Sequence, residues 1–321
     1  MNRSLLDPLS PFAIGVDVGG TKINAGVISS KGDVLHSFSL STLAGEVSTA
    51  LRIQEAVQGL LTEALQHRPD LRIKGIGVGT AGQVDRNDGS IRFSSDLIPG
   101  YMGTPLKKLL EDRFQLPVEV DNDVNVLALT EKKLGAGKNI QNMICLAVGT
   151  GVGGAILVNG RLVHGAWGGA GELGHMSVDF KGETCICGGI GCLEHYASGT
   201  SIARRMRERL AAGGTPEESI DTREVIARWY GGDPVATEIM QDALAALGSA
   251  IATLIHTFNT ELIVIGGGVA EAGEALFEGL RQEVDKRTMS SLRQGVEIRP
   301  AYRGNWGGMI GAALQIWEYN E

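Results

Sequence analysis

The chain has 321 residues, 43 % of them hydrophobic and 21 % charged, with a formal net charge of −8. That length allows two domains, or one large α/β unit, with ample core, and an acidic chain without a basic block is not expected to have nucleic acid as its primary partner. Glycine is abundant, at 46 residues, and falls in tight clusters without a repeat, which predicts specialised loops and excludes a collagen-like or low-complexity chain.

The opening MNRSLLDPLSPFAIGV places Asp7, Pro8 and Pro11 where a signal peptide needs an apolar run. No stretch of 18 apolar residues follows, so a cytoplasmic protein with reduced thiols and no membrane partner is expected. Phe12 to Asp17, Ile23 to Ile28 and Val34 to Leu40 read as short strands of an antiparallel meander. Val47, Leu51, Val57, Leu60, Leu61, Ala64 and Leu65 recur at helical spacing and predict an amphipathic helix over 47 to 67. A buried strand over Ile73 to Val78 comes next, then a helix from about Pro105 to Phe114, a strand over Val118 to Asp121 and a helix through Ala128 to Leu134.

The pattern then restarts. Met143 to Val148 is an apolar strand, Gly149 to Gly154 a glycine-rich turn, and Ala155 to Val158 another strand. The likeness to residues 12 to 28 predicts two related α/β halves. Pro234 to Phe258 has a broad apolar face (Val235, Ile239, Met240, Leu244, Leu247, Ile251, Leu254, Ile255) and is the strongest predicted helix. Strands over Leu262 to Ile265 and Val296 to Ile298 follow, and a helix from about Trp306 to Trp317 closes the chain.

Glycine-rich turns sit after three predicted strands, at 19–20, 149–154 and 266–268. Glycine lets backbone N–H groups approach phosphate oxygens, because no Cβ blocks the way. There is no G-x-x-x-x-G-K-[ST], so a P-loop is excluded. Gly149-Thr-Gly-Val-Gly-Gly154 leads into a strand rather than a helix, which disfavours a dinucleotide-binding Rossmann unit.

Three of the four cysteines fall in Cys185-x-Cys187-x4-Cys192, with His175 ten residues upstream. This Cys3His set suits tetrahedral zinc, and four protein ligands mark a structural site. The other reading, three buried reduced thiols, fits poorly with so many glycines and so few apolar neighbours. Glu172 and Glu194 flank the cluster, and a pinned loop would hold both carboxylates toward a hydroxylated ligand. In Val118-Glu-Val-Asp-Asn-Asp123 both Asp121 and Asp123 lie at a strand-to-helix junction, where an isolated Asp is by default an N-cap.

Six ordered motifs resemble the ROK family (repressors, open reading frames and kinases): Asp17-x-Gly-Gly-Thr-Lys22, Gly79-Thr-Ala-Gly82, Asn122-Asp123-x-Asn125, Gly149-Thr-Gly-x-Gly-Gly154, Glu172-x-Gly-His175 and Cys185-x-Cys-Gly-x-x-Gly-Cys192-x-Glu194. The resemblance runs from about Phe12 to the C-terminus. It implies the actin–hexokinase–Hsp70 ATPase (ribonuclease H-like) fold, an α/β fold of two domains with a cleft between them. The expected domains are 1–124 with about 304–321, and 125–303 with the zinc loop. It further implies an ATP-dependent hexose 6-kinase with Asp123 as general base and Gly82, Asn122, Glu172, His175 and Glu194 on the sugar. Asp17 is expected at Mg2+. Gly19, Gly20, Thr21, Lys22, Gly149, Thr150, Gly151, Gly266, Gly267 and Gly268 are expected at ATP, with Lys22 either touching a phosphate or capping its turn.

Zinc is expected on His175, Cys185, Cys187 and Cys192. Glucose leads as the substrate. Ala81 and Asp96 stand where glucose-specific members often carry Pro and Asn, which leaves room for N-acetylmannosamine or N-acetylglucosamine. The family also includes sugar-sensing repressors, but only about 11 residues precede the first strand, too few for a helix-turn-helix. Family members are commonly dimers or tetramers, so a homo-oligomer is expected.

Overall fold

In the computed structural model, which describes residues 11–94, 98–302 and 304–319, the chain opens as the expected meander. Strands β1 (Phe12–Val18), β2 (Lys22–Ser29) and β3 (Val34–Ser41) pair antiparallel. Helix α1 (Thr49–His67) then returns the chain to β4 (Ile73–Thr80), which joins β1 in parallel. The small pair β5 (Gln83–Val84) and β6 (Ile91–Phe93) precedes α2 (Leu106–Phe114), β7 (Val118–Asn122) and α3 (Asp123–Leu134). Strand β7 adds in parallel to β4, giving the sheet order β3-β2-β1-β4-β7.

Strand β1 is apolar almost throughout because both of its faces are covered. Ile14 and Val16 point into the core that includes Ile53, Val57 and Leu60 of α1. Ala13, one residue out of phase, packs with Met309, Ile310 and Ala313 of the C-terminal helix Gly307–Glu318. That helix lies very close to the sheet: a Cβ on Gly77 would stand 1.7 Å from the Ala312 carbonyl oxygen. Gly77→Ala is expected to cost roughly 1–3 kcal/mol of stability through this overlap, read as a lowered denaturant midpoint with an unchanged slope.

The second half repeats the plan. Strands β8 (Met143–Val148), β9 (Val152–Val158) and β10 (Arg161–Leu162) form a meander. A long helical stretch follows: α4 (Glu194–Ala197), α5 (Gly199–Ala212), α6 (Thr222–Tyr230) and α7 (Pro234–Phe258). Strand β11 (Leu262–Gly266), helices α8 (Glu274–Arg287) and α9 (Ser290–Arg293) and strand β12 (Glu297–Pro300) complete it. The order β10-β9-β8-β11-β12, with β11 parallel to both neighbours, is that of the first sheet. Helix α7 begins where Asp233 accepts from the Ala236 N–H at 2.8 Å with Pro234 in the first turn, and ends at the left-handed Asn259. It is long and apolar enough to cross a bilayer, yet two-thirds of its apolar stretch is buried in the core of this unit.

The chain divides into two compact units. The first holds the described residues up to Lys138, His164–Ala170 and those from Tyr302 on; the second holds Asn139–Val163 and Gly171–Ala301. The boundary thus falls after Lys138 rather than after Val124, because α3 packs on the C-terminal helix, where Thr130 Oγ1 donates to the Gly307 carbonyl at 2.6 Å. The sequence-predicted helix at 128 starts earlier, at Asp123: Asn122 Oδ1 accepts from the Val124 and Asn125 N–H groups and caps the first turn. Helices α5, α6 and α8 were not anticipated, since their charged sequences carry only narrow apolar stripes.

Candidate active site

In the first unit the strand register assembles the site. Asp17 of β1, Gly79 of β4 and Asp121 of β7 lie side by side across the sheet, and so do Val18, Thr80 and Asn122. The carboxyl ends of three parallel strands therefore deliver the Gly19–Lys22 turn, Gly82 and Asn122–Asp123 to one edge, where ligands of open α/β sheets bind. Asn122 has two tasks there. Its Oδ1 caps α3, and its Nδ2 donates to the Gly82 carbonyl at 3.0 Å, so the side chain assigned to the sugar also ties the two loops together. Gly82 has φ +98°, and a Cβ there would stand 2.5 Å from the Phe93 carbonyl oxygen; only glycine fits. Asp123, the first residue of α3, is half-buried, and its Oδ1 accepts from the Val124 N–H at 3.0 Å.

Asp17 is held by Asn24 Nδ2 at 3.4 Å and packs against Gly308, where an added Cβ would lie 2.9 Å from Asp17 Oδ2. Burial raises its carboxyl above the ordinary value, opposed by the Asn24 hydrogen bond and the charge of Lys22. Such a group binds more protons folded than unfolded, so stability is lost as pH rises from the unfolded value through the folded one, and it stays lost above. Asp17→Asn is therefore expected to gain in Tm over the parent as pH rises from 4 to 8, while turnover falls. A Tm difference independent of pH contradicts this. The Gly19 N–H closes its own hairpin onto the Lys22 carbonyl at 3.0 Å, and Thr42 Oγ1 donates to the Gly19 carbonyl at 2.7 Å.

In the second unit the same logic gathers another set. Strand β8 ends at Val148 beside the end of β11, and an added Cβ on Gly267 would meet the Val148 carbonyl oxygen at 2.4 Å. The turns at 149–151 and 266–268 are thus neighbours. Here too one glycine N–H is used locally, Gly149 donating to Gly151 at 2.9 Å, while the Gly149 carbonyl accepts from the Gly199 N–H at the start of α5. Gly151 has a local reason to be glycine: an added Cβ would lie 2.4 Å from Glu194 Oε2, which accepts from the Val152 N–H at 2.9 Å. Glu172 is exposed at the head of the short turn Leu173–His175, which packs on β9 through Gly174 and Val152. Glu172, His175 and Glu194 therefore surround one end of β9.

The four expected metal ligands converge. The donor atoms of His175, Cys185, Cys187 and Cys192 all lie within 4.8 Å of one another. Cys185 Sγ is 3.7 Å from His175 Nδ1, and Cys187 Sγ is 3.6 Å from Cys192 Sγ. A tetrahedron with zinc–sulfur legs of about 2.3 Å has edges of about 3.8 Å, so the donor set fits zinc. Burial and the neighbouring thiols push the Cys192 thiol up to about 12, whereas the Gly189 N–H lowers Cys187; a bound divalent cation deprotonates such thiols outright. His195 pairs with Glu183 at 3.3 Å.

Beside Asp123 lie Asp121, which sequence reasoning took as a default cap, and His164, which it missed. Asp121 is buried, and His164 lies 2.7 Å from it although 43 residues away in sequence. No local pattern marks His164. Asp96, one of the two departures from glucose-specific members, lies outside the described residues.

Two α/β units with matching sheets and strand-end glycine turns define an actin-like ATPase fold, as seen in ROK kinase structures. The ROK family model matches residues 13–318, and the chain belongs to that family. It is 36 % identical over 314 residues to a glucokinase from Halalkalibacterium halodurans, covering 94 % of each chain. A ROK glucokinase from Streptomyces griseus, solved with glucose and AMPPNP, is similar at TM-score 0.81 and 31 % identity, over 94 % of this chain and 98 % of that one. A ROK transcriptional regulator homologous to the Escherichia coli MLC protein is also similar, at TM-score 0.84 and 28 % identity, over 97 % of this chain and 78 % of that one.

Proposed function

We propose that this chain is an ATP-dependent sugar kinase that phosphorylates the 6-hydroxyl of glucose, with Asp123 as general base. The observation that supports it most is the register that gathers Gly82, Asn122 and Asp123 at one sheet edge. An alcohol attacking a phosphoryl group needs a carboxylate beside its hydroxyl and neighbours that fix the ring. Asp123 takes the proton as the sugar oxygen attacks the γ-phosphorus of ATP, and ADP leaves as the bond from its β-phosphate oxygen to that phosphorus breaks. Gly82, Asn122, Glu172, His175 and Glu194 are the residues that orient the sugar. The turns at 19–22, 149–151 and 266–268 would hold the nucleotide, and Asp17 would serve its Mg2+, which would offset phosphate charge. Zinc held by His175, Cys185, Cys187 and Cys192 would supply rigidity rather than Lewis acidity, since four protein ligands mark a structural site.

The similarity to the glucose-bound Streptomyces griseus enzyme supports glucose; Ala81 keeps N-acetylmannosamine and N-acetylglucosamine as the alternative. The similarity to a regulator supports a second reading, a sugar sensor without turnover. The deciding experiment is ADP release with Mg-ATP across glucose, both N-acetylhexosamines, mannose and fructose. A lead for glucose of more than about tenfold in kcat/KM upholds the proposal. A lead for an N-acetylhexosamine moves the substrate, and no stimulated release by any sugar favours the sensor.

A further inference from the structure

Asp121 lies in β7, two residues before the proposed base, and is 1 % exposed. A carboxylate so buried is costly unless its oxygens are hydrogen-bonded. Its Oδ1 accepts from the Asn122 N–H and from Asn125 Nδ2, both at 2.8 Å. Its Oδ2 accepts from His164 Nε2 at 2.7 Å. Because a carboxylate only accepts, His164 must carry its proton on Nε2. Both groups on Oδ1 belong to the turn that begins α3, so the orientation of the Asp121 carboxylate fixes the orientation of the turn that carries Asp123.

The segment around His164 is anchored independently of its imidazole. The Trp167 carbonyl accepts from the Arg86 N–H at 2.9 Å, the Arg92 guanidinium stacks 4.4 Å from the Trp167 ring centroid, and the Ala170 N–H returns to the His164 carbonyl at 3.1 Å. Loss of the imidazole therefore leaves the loop in place but strips Asp121 Oδ2 of this donor. A buried oxygen so deprived forces the carboxylate to turn toward another donor, which disturbs the turn that carries Asp123.

We infer that His164 and Asp121 form a positioning pair for phosphoryl transfer, holding the Asn122–Asp123 turn so that the base meets the attacking hydroxyl. The inference rests on the kinase reading with Asp123 as base. It assigns His164 a role in the catalytic step and not in sugar affinity, because the separately anchored loop retains its place.

The test begins with wild-type ADP release; none with any sugar overturns the kinase reading, and the positioning role with it. Given wild-type turnover, His164→Leu is expected to lower kcat by about tenfold or more, with the sugar KM within about threefold. His164→Gln places an amide N–H near the former Nε2 and should recover most of the loss. Asp121→Asn, combined with His164→Leu, should be no worse than the poorer single variant. A kcat for His164→Leu within about twofold of wild type overturns the inference. So does a Gln variant as impaired as Leu, or fully multiplicative losses in the double variant. If His164→Leu does not fold, Gln and Asp121→Asn carry the test: both with wild-type kcat overturns it, and loss in Asp121→Asn with retention in Gln supports it.

Discussion

Replacing Asp123 with Asn is expected to lower kcat by about 10²- to 10⁴-fold, the range that a positioned general base contributes. Sugar affinity by calorimetry should stay within about threefold, because proton acceptance by Asp123 stabilises the transition state and not the bound ground state. The amide keeps the shape of the carboxylate and can still accept the Val124 N–H that Asp123 Oδ1 now takes, so α3 should keep its first turn and the melting temperature should hardly move. A variant with near-normal turnover would remove Asp123 as the base. Asp121, the other acid on this strand, could not readily take its place: it is buried, and its two oxygens already accept from Asn122, Asn125 and His164.

Cys192→Ser should have the second largest effect. Cys192 is buried, its Sγ lies 3.5 Å from the His175 carbonyl oxygen, and its segment bridges antiparallel to Ser177. Loss of one thiolate from a four-ligand zinc site collapses metal affinity. The loop is an outgrowth of a unit that has its own large core around α7 and β11, so the damage is expected to stay local. Zinc content by atomic emission should fall toward zero. The sugar KM should rise by about 10- to 100-fold, the scale on which supporting groups act at metal sites, with a smaller change in kcat. Unchanged metal content and KM would mean that the cysteines are packed thiols and that Glu172 and Glu194 are held by other contacts.

Much of the architecture was legible because it rests on local signals. Strands that are apolar on both faces, such as Phe12–Val18 and Met143–Val148, and the 25-residue α7 with Asp233 at its cap reveal themselves by composition and period. The two related halves could be read from repeated strand–glycine–strand spacing, and the sheets have matching order. Less legible were the charged helices α5 and α8 and the early start of α3, whose cap is an Asn that motif reading had given to the sugar. The glycine turns were placed correctly after their strands, but why each glycine is required was not visible: Gly151 admits the Glu194 carboxylate and Gly77 admits a helix.

The sequence by itself determined the chemistry on offer: a Cys3His cluster within 18 residues, carboxylates on either side of it, and an Asn-Asp pair at a strand-to-helix junction. These are short-range facts, set by residue type and spacing. Only the tertiary structure decided which of these groups stand together and which are already engaged. Register across β1, β4 and β7 aligns residues more than 30 apart, and a buried carboxylate took a histidine 43 positions away as its partner. Such pairings are fixed by the closure of a sheet and the cost of leaving a buried oxygen unbonded, neither of which has a signature along the chain.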